Sequence, residues 1–181
     1  RSKSGVRVNN RTALGHAPVW RGIKLIADWV KKLPVDLYRR EDRGRVSVTG
    51  HPGENAIRRR ANQNLLAGTL KQMLTAHAIL FGNGYGLVFR NSKGQAEEII
   101  PLDPLTTAKV MLEGGDVGYR YKIGRDEIVA EWSDVLHIRN LTHDGFNGYA
   151  LVDVLKNALA PGIAARDSAA EHFGKGMGVA G

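Results

Sequence analysis

Apolar side chains recur at helical spacing near the start of the chain. From Thr12 onward they lie three and four residues apart, at Val19, Ile23, Ile26, Val30 and Leu33. This spacing places them on one face of an amphipathic helix. Pro34 ends the helix, because proline lacks a backbone N–H and disfavours a helical residue before it. The sequence therefore predicts an opening helix over residues 12–33.

Short alternating segments follow this helix. Apolar and polar residues alternate over residues 35–39, which predicts a short strand with one buried face. Arg43-Gly44 is typical of a turn, and residues 45–48 predict the returning strand. Residues 50–64 are rich in Gly, Pro, Asn and Arg. They predict a loop or a short, broken helix that contains Arg58-Arg59-Arg60.

A second helix is predicted over residues 66–81, where apolar residues again follow helical spacing. Gly82 is placed to cap it in the left-handed conformation. The run Gly82-Asn83-Gly84-Tyr85-Gly86 therefore predicts a turn between this helix and a strand. A nucleotide-binding loop would need the opposite order, with glycines leading into a helix, and a Lys-Ser or Lys-Thr pair, and the run has neither.

The middle of the chain alternates like a set of antiparallel strands. Residues 87–90 and 96–100 flank the turn Asn91-Ser92-Lys93-Gly94, in which Gly94 can take a positive φ. Further strands are predicted over residues 107–112, 119–123, 128–132 and 135–139. Together they predict a β meander.

An alanine-rich helix is predicted over residues 151–173, with Leu151, Leu155 and Leu159 on one stripe. Pro161-Gly162 is expected to kink or interrupt it, because proline removes a backbone hydrogen bond and glycine adds flexibility. The predicted fold class is α+β, with helices packed on an antiparallel β meander and a long C-terminal helix.

Composition narrows the class of protein. The chain has 181 residues, 43% hydrophobic and 24% charged, which suits a globular domain with its own core. It has no cysteine, so it offers neither disulfides nor Cys ligands for zinc. No apolar run approaches the ~20 residues that cross a bilayer, and no signal peptide opens the chain. We expect a soluble protein made in the cytoplasm, and the start at Arg1 with the glycine-rich end suggests a fragment.

Charge is distributed unevenly along the chain. Residues 1–60 carry 15 basic and 5 acidic side chains, whereas residues 61–181 carry 11 and 13. This asymmetry indicates either a basic face for an anionic partner or simply a solvated surface. The residues predicted to form the basic patch are Arg39, Arg40, Arg43, Arg45, Arg58, Arg59 and Arg60.

Three neighbouring polar residues raise the question of catalysis. His137, His143 and Asp144 could ligate a metal or act as a hydrolase base, but no further ligand with typical spacing is visible. Ser133 is not on a Gly-x-Ser-x-Gly turn, so a Ser-His-Asp arrangement lacks support. Because His137 alternates with Leu136 and Ile138 on one strand, a half-buried, hydrogen-bonded histidine is favoured.

The ordered set of features resembles the portal proteins of tailed bacteriophages, specifically the siphophage-type portal family. The resemblance joins the helix ending at Leu33-Pro34, the helix leading into Gly82-Asn83-Gly84-Tyr85, and the corner Ile100-Pro101-Leu102-Asp103-Pro104. It continues through Tyr119 and the strand Asp134-Val135-Leu136-His137-Ile138-Arg139 to the loop Asp144-Gly145-Phe146-Asn147-Gly148. Order and spacing carry the resemblance. Its structural motif residues are Gly82, Asn83, Gly84, Tyr85, His137, Asp144, Gly145 and Gly148.

The resemblance implies a subunit of a closed ring, typically of twelve copies, at one capsid vertex. Double-stranded DNA would pass through the ring during packaging and ejection. Residues 1–150 would form the α+β wing and residues 151–181 the start of a stem helix, with the clip, second stem helix and crown absent. The implied partners are the major capsid or scaffolding protein, the terminase and a head–tail adaptor, without membrane, cofactor or catalytic residues. The implied location is the virion, and the host cytoplasm during assembly.

Within this reading, three basic residues of the last helix are expected at the DNA channel. They are Lys156, Arg166 and Lys175, and they are balanced by Asp153, Asp167 and Glu171. Two other functions remain open. One is a basic, DNA-binding adaptor module built on the arginine patch. The other is a metal-dependent phosphoesterase that uses His137, His143 and Asp144.

Overall fold

A computed structural model of the chain describes residues 9–176, which contain five α-helices, one short 3₁₀ helix (Trp132–Asp134) and ten strands. The helices are α1 (Asn10–Leu14), α2 (Ala17–Lys32), α3 (Pro52–Arg58), α4 (Ala67–Phe81) and α5 (Leu151–Gly176). The strands are β1 (Tyr38–Glu41), β2 (Gly44–Ser47), β3 (Arg60–Asn62), β4 (Leu65–Leu66), β5 (Asn83–Arg90), β6 (Ala96–Leu102), β7 (Ala108–Met111), β8 (Val117–Ile123), β9 (Asp126–Glu131) and β10 (Val135–Arg139).

All the strand pairs are antiparallel, and the six strands from β5 to β10 form two separate sheets. Sheet one has the order β10-β5-β6, and sheet two has the order β7-β8-β9. Two small hairpins, β1-β2 and β3-β4, complete the set. The α+β class is confirmed. The single meander is not, because β10 crosses back to pair with β5 instead of continuing from β9.

The main elements pack in four layers. Helix α2 lies on α4, and α4 covers one face of sheet one through Leu70 and Leu74. The other face of sheet one packs on sheet two, where Tyr85, Leu87 and Val135 meet Tyr119 and Tyr121. The buried apolar residues therefore form two clusters, one on each side of sheet one.

A third buried cluster attaches α5 to the start of the described chain. It joins Ala13 of α1 to Val152, Leu159 and Ile163 of α5. Ile163 is among the largest fully buried side chains of the described residues. The long helix is therefore anchored along its first half.

The opening region differs from the sequence prediction in two ways. The predicted single helix is divided, because Gly15 and an extended His16 separate α1 from α2, and Pro18 lies in the first turn of α2. The predicted strand with a buried face is also wrong. Strand β1 begins only at Tyr38, and all its residues are exposed because no layer covers the β1-β2 hairpin.

The segment over residues 50–64 is more ordered than a loop. Helix α3 begins at Pro52, where the His51 ring nitrogen accepts a hydrogen bond from the Gly53 N–H at 3.0 Å. Arg58 ends this helix and Arg60 begins β3. Of the predicted alternatives, the short helix is therefore present.

The glycine run after α4 is only partly a turn. Gly82 is the predicted left-handed cap, with φ of 83°, but β5 begins at Asn83. Gly84 is required for packing, because a Cβ there would overlap the carbonyl oxygen of Leu74 in α4. The prediction of a turn across residues 82–86 was therefore wrong beyond its first residue. Gly84 and Gly86 allow β5 to lie directly on α4.

Helix α5 is not interrupted at Pro161-Gly162. Leu159, Ala160 and Ile163 are buried on both sides of Pro161, and this packing holds the helix together across the proline. Gly162 has a packing role as well, since a Cβ there would lie 2.8 Å from Nε2 of His16.

Candidate functional site

His137 occupies the centre of a polar network between the two sheets. Its Nδ1 is 2.9 Å from the Tyr119 hydroxyl, and its Nε2 is 2.9 Å from Oδ1 of Asn83. The ring also packs on Tyr85, with centroids 4.5 Å apart. Strand alternation explains the placement, because His137 and the buried Val135 point to the same side of β10. As predicted from the alternation, the histidine is half-buried and hydrogen-bonded.

The hydrogen bonds define the protonation state of this histidine. Oδ1 of Asn83 also accepts from the Gly148 N–H at 3.2 Å, so it is an acceptor and Nε2 of His137 must donate to it. Nδ1 then accepts from Tyr119. Burial, together with the positive charges of Arg139 and Lys109, lowers the pKa of His137 to about 4. Burial also raises the pKa of Tyr85 to about 12.

The loop before α5 is organised by Asp144. Its carboxylate accepts from the backbone N–H groups of Phe146 and Asn147 at 2.7 and 2.8 Å, and from the Thr142 hydroxyl at 2.9 Å. The backbone bonds from Asn147 and Phe146 hold the pKa of Asp144 well below its usual range. Gly145 takes a φ of 75°, which only glycine adopts readily. Asp144 and Gly145 thus fold the loop, while Gly148 joins it to Asn83.

The three residues of the phosphoesterase hypothesis take part in different contacts. His137 lies in the network between the sheets, whereas His143 stacks on Tyr149 and its Nδ1 is 2.8 Å from that hydroxyl. The Asp144 carboxylate is occupied by its own loop. Over residues 9–176, no group of three His, Cys, Asp or Glu side chains is arranged to hold a metal ion.

The predicted basic patch separates into two parts. Arg39, Arg40, Arg43 and Arg45 are exposed on the β1-β2 hairpin, and Arg58, Arg59 and Arg60 lie at the junction of α3 and β3. Arg58 pairs with Asp36, which precedes the hairpin, at 3.4 Å, and with Glu54 at 2.7 Å. Arg39 pairs with Glu41 at 3.3 Å. All seven arginines are exposed, so both basic surfaces are accessible to solvent.

The predicted channel residues of α5 are not equivalent. Lys156 is exposed, and it forms no ion pair with any residue the structure describes. Arg166 donates to the Gly15 carbonyl at 3.0 Å and pairs with Asp167 at 2.9 Å. The side chain of Lys175 lies outside the described residues. Arg166 thus connects α5 to the α1–α2 junction, a role that the sequence pattern did not indicate.

A groove of about 650 Å³ runs beside β10, between sheet one and the start of β8. Its walls include Trp132, Val117, Leu136 and Phe146, and Lys109 lies 3.3 Å above the Phe146 ring. Sequence reasoning did not single out Trp132 or Phe146. The available signal was two aromatic residues placed immediately before and shortly after one strand.

Comparison with known proteins identifies the family. A sequence model described as phage portal protein matches residues 17–181, which is most of the chain. The chain belongs to the phage portal protein family. This portal-family chain is also 27% identical, over 174 residues, to the portal protein of Enterobacteria phage HK97, a match that covers 93% of this chain and 40% of that protein.

Solved structures show the same portal-family fold. A chain of the virion of a native gene transfer agent (GTA) particle matches with a TM-score of 0.72 and 22% identity over 96% of this chain and 47% of that one. A chain of the neck of an empty GTA particle, computed with C6 symmetry, matches with a TM-score of 0.69 and 24% identity. That match covers 100% of this chain and 49% of the other. A chain of the neck of a native GTA particle, computed with C12 symmetry, matches with a TM-score of 0.69 and 22% identity. That match covers 90% of this chain and 43% of the other.

The portal-family chain thus spans less than half the length of these relatives. The similar solved chains come from the virion and the neck of GTA particles. Over residues 9–176 no helix is both long and apolar enough to cross a membrane.

Proposed function

We propose that this chain is the wing and the start of the stem helix of a portal subunit. The subunit closes into a ring, typically of twelve copies, at one capsid vertex, and it has no catalytic role. Residues 1–150 form the wing, and residues 151–181 begin the stem. The observation that carries the proposal is the family match over residues 17–181.

The symmetry of the relatives supports a ring. Two of the similar solved structures are particle necks that were computed with C6 and C12 symmetry. A cyclic assembly needs a heterologous interface, in which one patch of each subunit meets a different patch of its neighbour. The uneven charge of this chain offers such a pair of unlike surfaces.

Passage of double-stranded DNA is consistent with the charge pattern. A conduit should bind phosphates weakly and without reading bases, since base contacts would hold the duplex in place. Lys156 is available for such a contact, whereas Arg166 is engaged by Gly15 and Asp167. The proposed partners are DNA, the major capsid or scaffolding protein, the terminase and a head–tail adaptor, met in the host cytoplasm and kept in the virion.

The test is the mass of the full-length protein by light scattering, with negative-stain images of the same sample. Rings with a central hole are the expected result. A stable monomer that binds DNA tightly and in a salt-sensitive way would contradict the proposal and favour an adaptor module. Metal-dependent nuclease activity that is lost in His137→Ala would instead favour the phosphoesterase.

A further inference from the structure

Strand β10 is an open edge of sheet one. The Asn140 N–H donates to the Gly82 carbonyl at 2.9 Å, and this pair continues the register of Arg139 with Asn83. Because hydrogen-bonded pairs alternate in an antiparallel ladder, Leu136 and Ile138 direct their backbone groups toward β5. Val135, His137 and Arg139 therefore direct theirs away from the sheet. The Val135 N–H is taken by the Trp132 carbonyl.

The remaining edge groups face the groove described above. The N–H and C=O groups of His137 and Arg139 have no hydrogen-bond partner among residues 9–176. Apolar walls accompany them, since Trp132 is 66% exposed and Phe146 is 47% exposed. Unpaired edge groups between apolar walls are what an added β-strand requires, with main-chain bonds for affinity and pockets for alternate side chains.

The same chain carries a hairpin that lacks a supporting layer. Every residue of β1 and β2 is exposed, and an isolated two-stranded hairpin is only marginally stable in water. The Val48 N–H donates to the Leu37 carbonyl, so the Arg40 and Arg45 pair is of the non-hydrogen-bonded type. Side chains are closest in such pairs, and two arginines placed opposite each other repel.

The hairpin carries more basic charge than the segment beside the groove. Residues 38–47 carry four basic and two acidic side chains. Residues 113–134, which include one wall of the groove, carry three basic and six acidic side chains. The charged residues that line the groove are Asp116 and Arg139, so the hairpin and the groove are unlike surfaces, as a heterologous contact requires, and Asp116 is the carboxylate that a basic hairpin would meet there.

We propose that the β1-β2 hairpin of one subunit adds to the β10 edge of the neighbouring copy, beside Trp132 and Phe146. The occupant of the groove is a second copy of this chain. This contact would extend sheet one across the subunit boundary and place Arg40 and Arg45 near Asp116. The inference rests on the proposed function, because it names the surfaces through which the ring closes.

Cysteine cross-linking of the full-length protein tests the contact. Ser47→Cys lies in the hairpin, Ser133→Cys lines the groove, and the 181 residues contain no other cysteine. Both changes are introduced into one chain, with any cysteine elsewhere in the full-length protein replaced by serine. A short bismaleimide should then give a ladder of covalent oligomers on a denaturing gel, and neither single variant should pass the dimer.

A matched control uses a serine away from the groove. Ser168 is exposed in the second half of α5, so Ser47→Cys with Ser168→Cys should give no ladder. Negative-stain images of each sample show whether rings have formed, which distinguishes a wrong contact from the absence of a ring. Intact rings without a ladder from the first pair, or with equal ladders from both pairs, would overturn the inference and leave the portal function standing. Absence of rings would overturn both.

A second pair of variants tests the strand addition itself. Arg139→Pro removes an edge N–H that sheet one does not use, and Arg139→Ala removes the same side chain but keeps that N–H. One hydrogen bond lost per interface should raise the subunit concentration needed for assembly by about fivefold in Arg139→Pro relative to Arg139→Ala. Equal assembly, with equal melting temperatures of the two subunits, would contradict strand addition.

Discussion

Gly82 and Gly148 lie with their backbones in direct contact. A Cβ atom on either residue would overlap the carbonyl oxygen of the other. Gly82 also has a left-handed φ of 83°, so its need for glycine is twofold. The contact joins the end of α4 to the loop before α5, between residues 66 positions apart in sequence.

The first prediction is that Gly148→Ala destabilises the protein by at least about 2 kcal/mol, because the clash is with backbone that has no rotamer to change. The measurement is urea unfolding of the domain. Gly22→Ala is the control, since Gly22 lies inside α2 with open space where its Cβ would stand. That change should stabilise by about 0.5–1 kcal/mol. A neutral Gly148→Ala would show that the two segments separate easily.

The second prediction concerns the hydroxyl that binds His137. Tyr119→Phe removes the donor to Nδ1 and leaves a half-buried acceptor unpaired, so we expect a loss of about 1–2 kcal/mol in the free energy of unfolding. Tyr121 is buried in the same cluster, but its hydroxyl makes no hydrogen bond with any described residue. Tyr121→Phe should therefore change stability by less than about 0.5 kcal/mol. Equal losses in the two variants would assign the effect to packing.

The third prediction is a dependence of stability on pH. The pKa of His137 is about 4 in the folded chain, against 6.5 for an unperturbed histidine. Between these values the unfolded chain binds a proton that the folded chain excludes, so stability is full above pH 6.5 and falls toward pH 4. Allowing for partial exposure, the fall should be about 2 kcal/mol.

Urea unfolding at several pH values measures this fall, and His137→Gln removes the titrating group. The slope of stability against pH should be smaller in the variant. The comparison is necessary because burial also lowers the pKa of His77. Parallel slopes for the two proteins would place the titration at another residue.

The fourth prediction tests the repulsion within the hairpin. Arg40→Glu places an acidic residue directly opposite Arg45, and it should stabilise the β1-β2 hairpin by about 0.2–1 kcal/mol. Amide hydrogen exchange over residues 38–47 reports the change as slower exchange. Arg39→Glu is the control: it makes the same change in net charge opposite Val46 and also loses the ion pair with Glu41, so it should not slow exchange. If both variants slowed exchange equally, the cause would be net charge and not the cross-strand pair.

The fifth prediction distinguishes Arg166 from Lys156. Arg166→Ala removes the hydrogen bond to the Gly15 carbonyl, so we expect a loss of about 1 kcal/mol and faster hydrogen exchange in α1 and α5. Lys156→Ala should leave the free energy of unfolding and the hydrogen exchange of α1 and α5 unchanged. If Lys156→Ala loosened α5 as much as Arg166→Ala, the contact with Gly15 would not be the cause.

Local patterns predicted the elements of the fold well. Helix α4 and its Gly82 cap, and the turn at Gly94 with φ of 74°, follow from spacing and glycine placement alone. The pairing of the strands could not be predicted in this way, because β10 pairs with β5 across some 50 residues and nothing local specifies that partner. The division into two sheets was therefore not predictable from alternation.

The environment of the candidate site was only partly predictable. Alternation on β10 indicated a half-buried His137, but its partners Tyr119 and Asn83 come from distant strands. Gly84 was assigned to a turn because sequence alone cannot show that Leu74 of α4 passes beneath it. Pro161 was expected to disrupt a helix whose flanking residues are, in the folded chain, held by burial.

The His137 network has a mechanical consequence. It joins Tyr119 of sheet two, Asn83 of sheet one and Gly148, which lies only three residues before α5. If the sheets slid past each other, or if the loop pulled away, half-buried polar groups would lose their partners. A torque on α5 is therefore transmitted to both sheets, so the two sheets must move together with the helix.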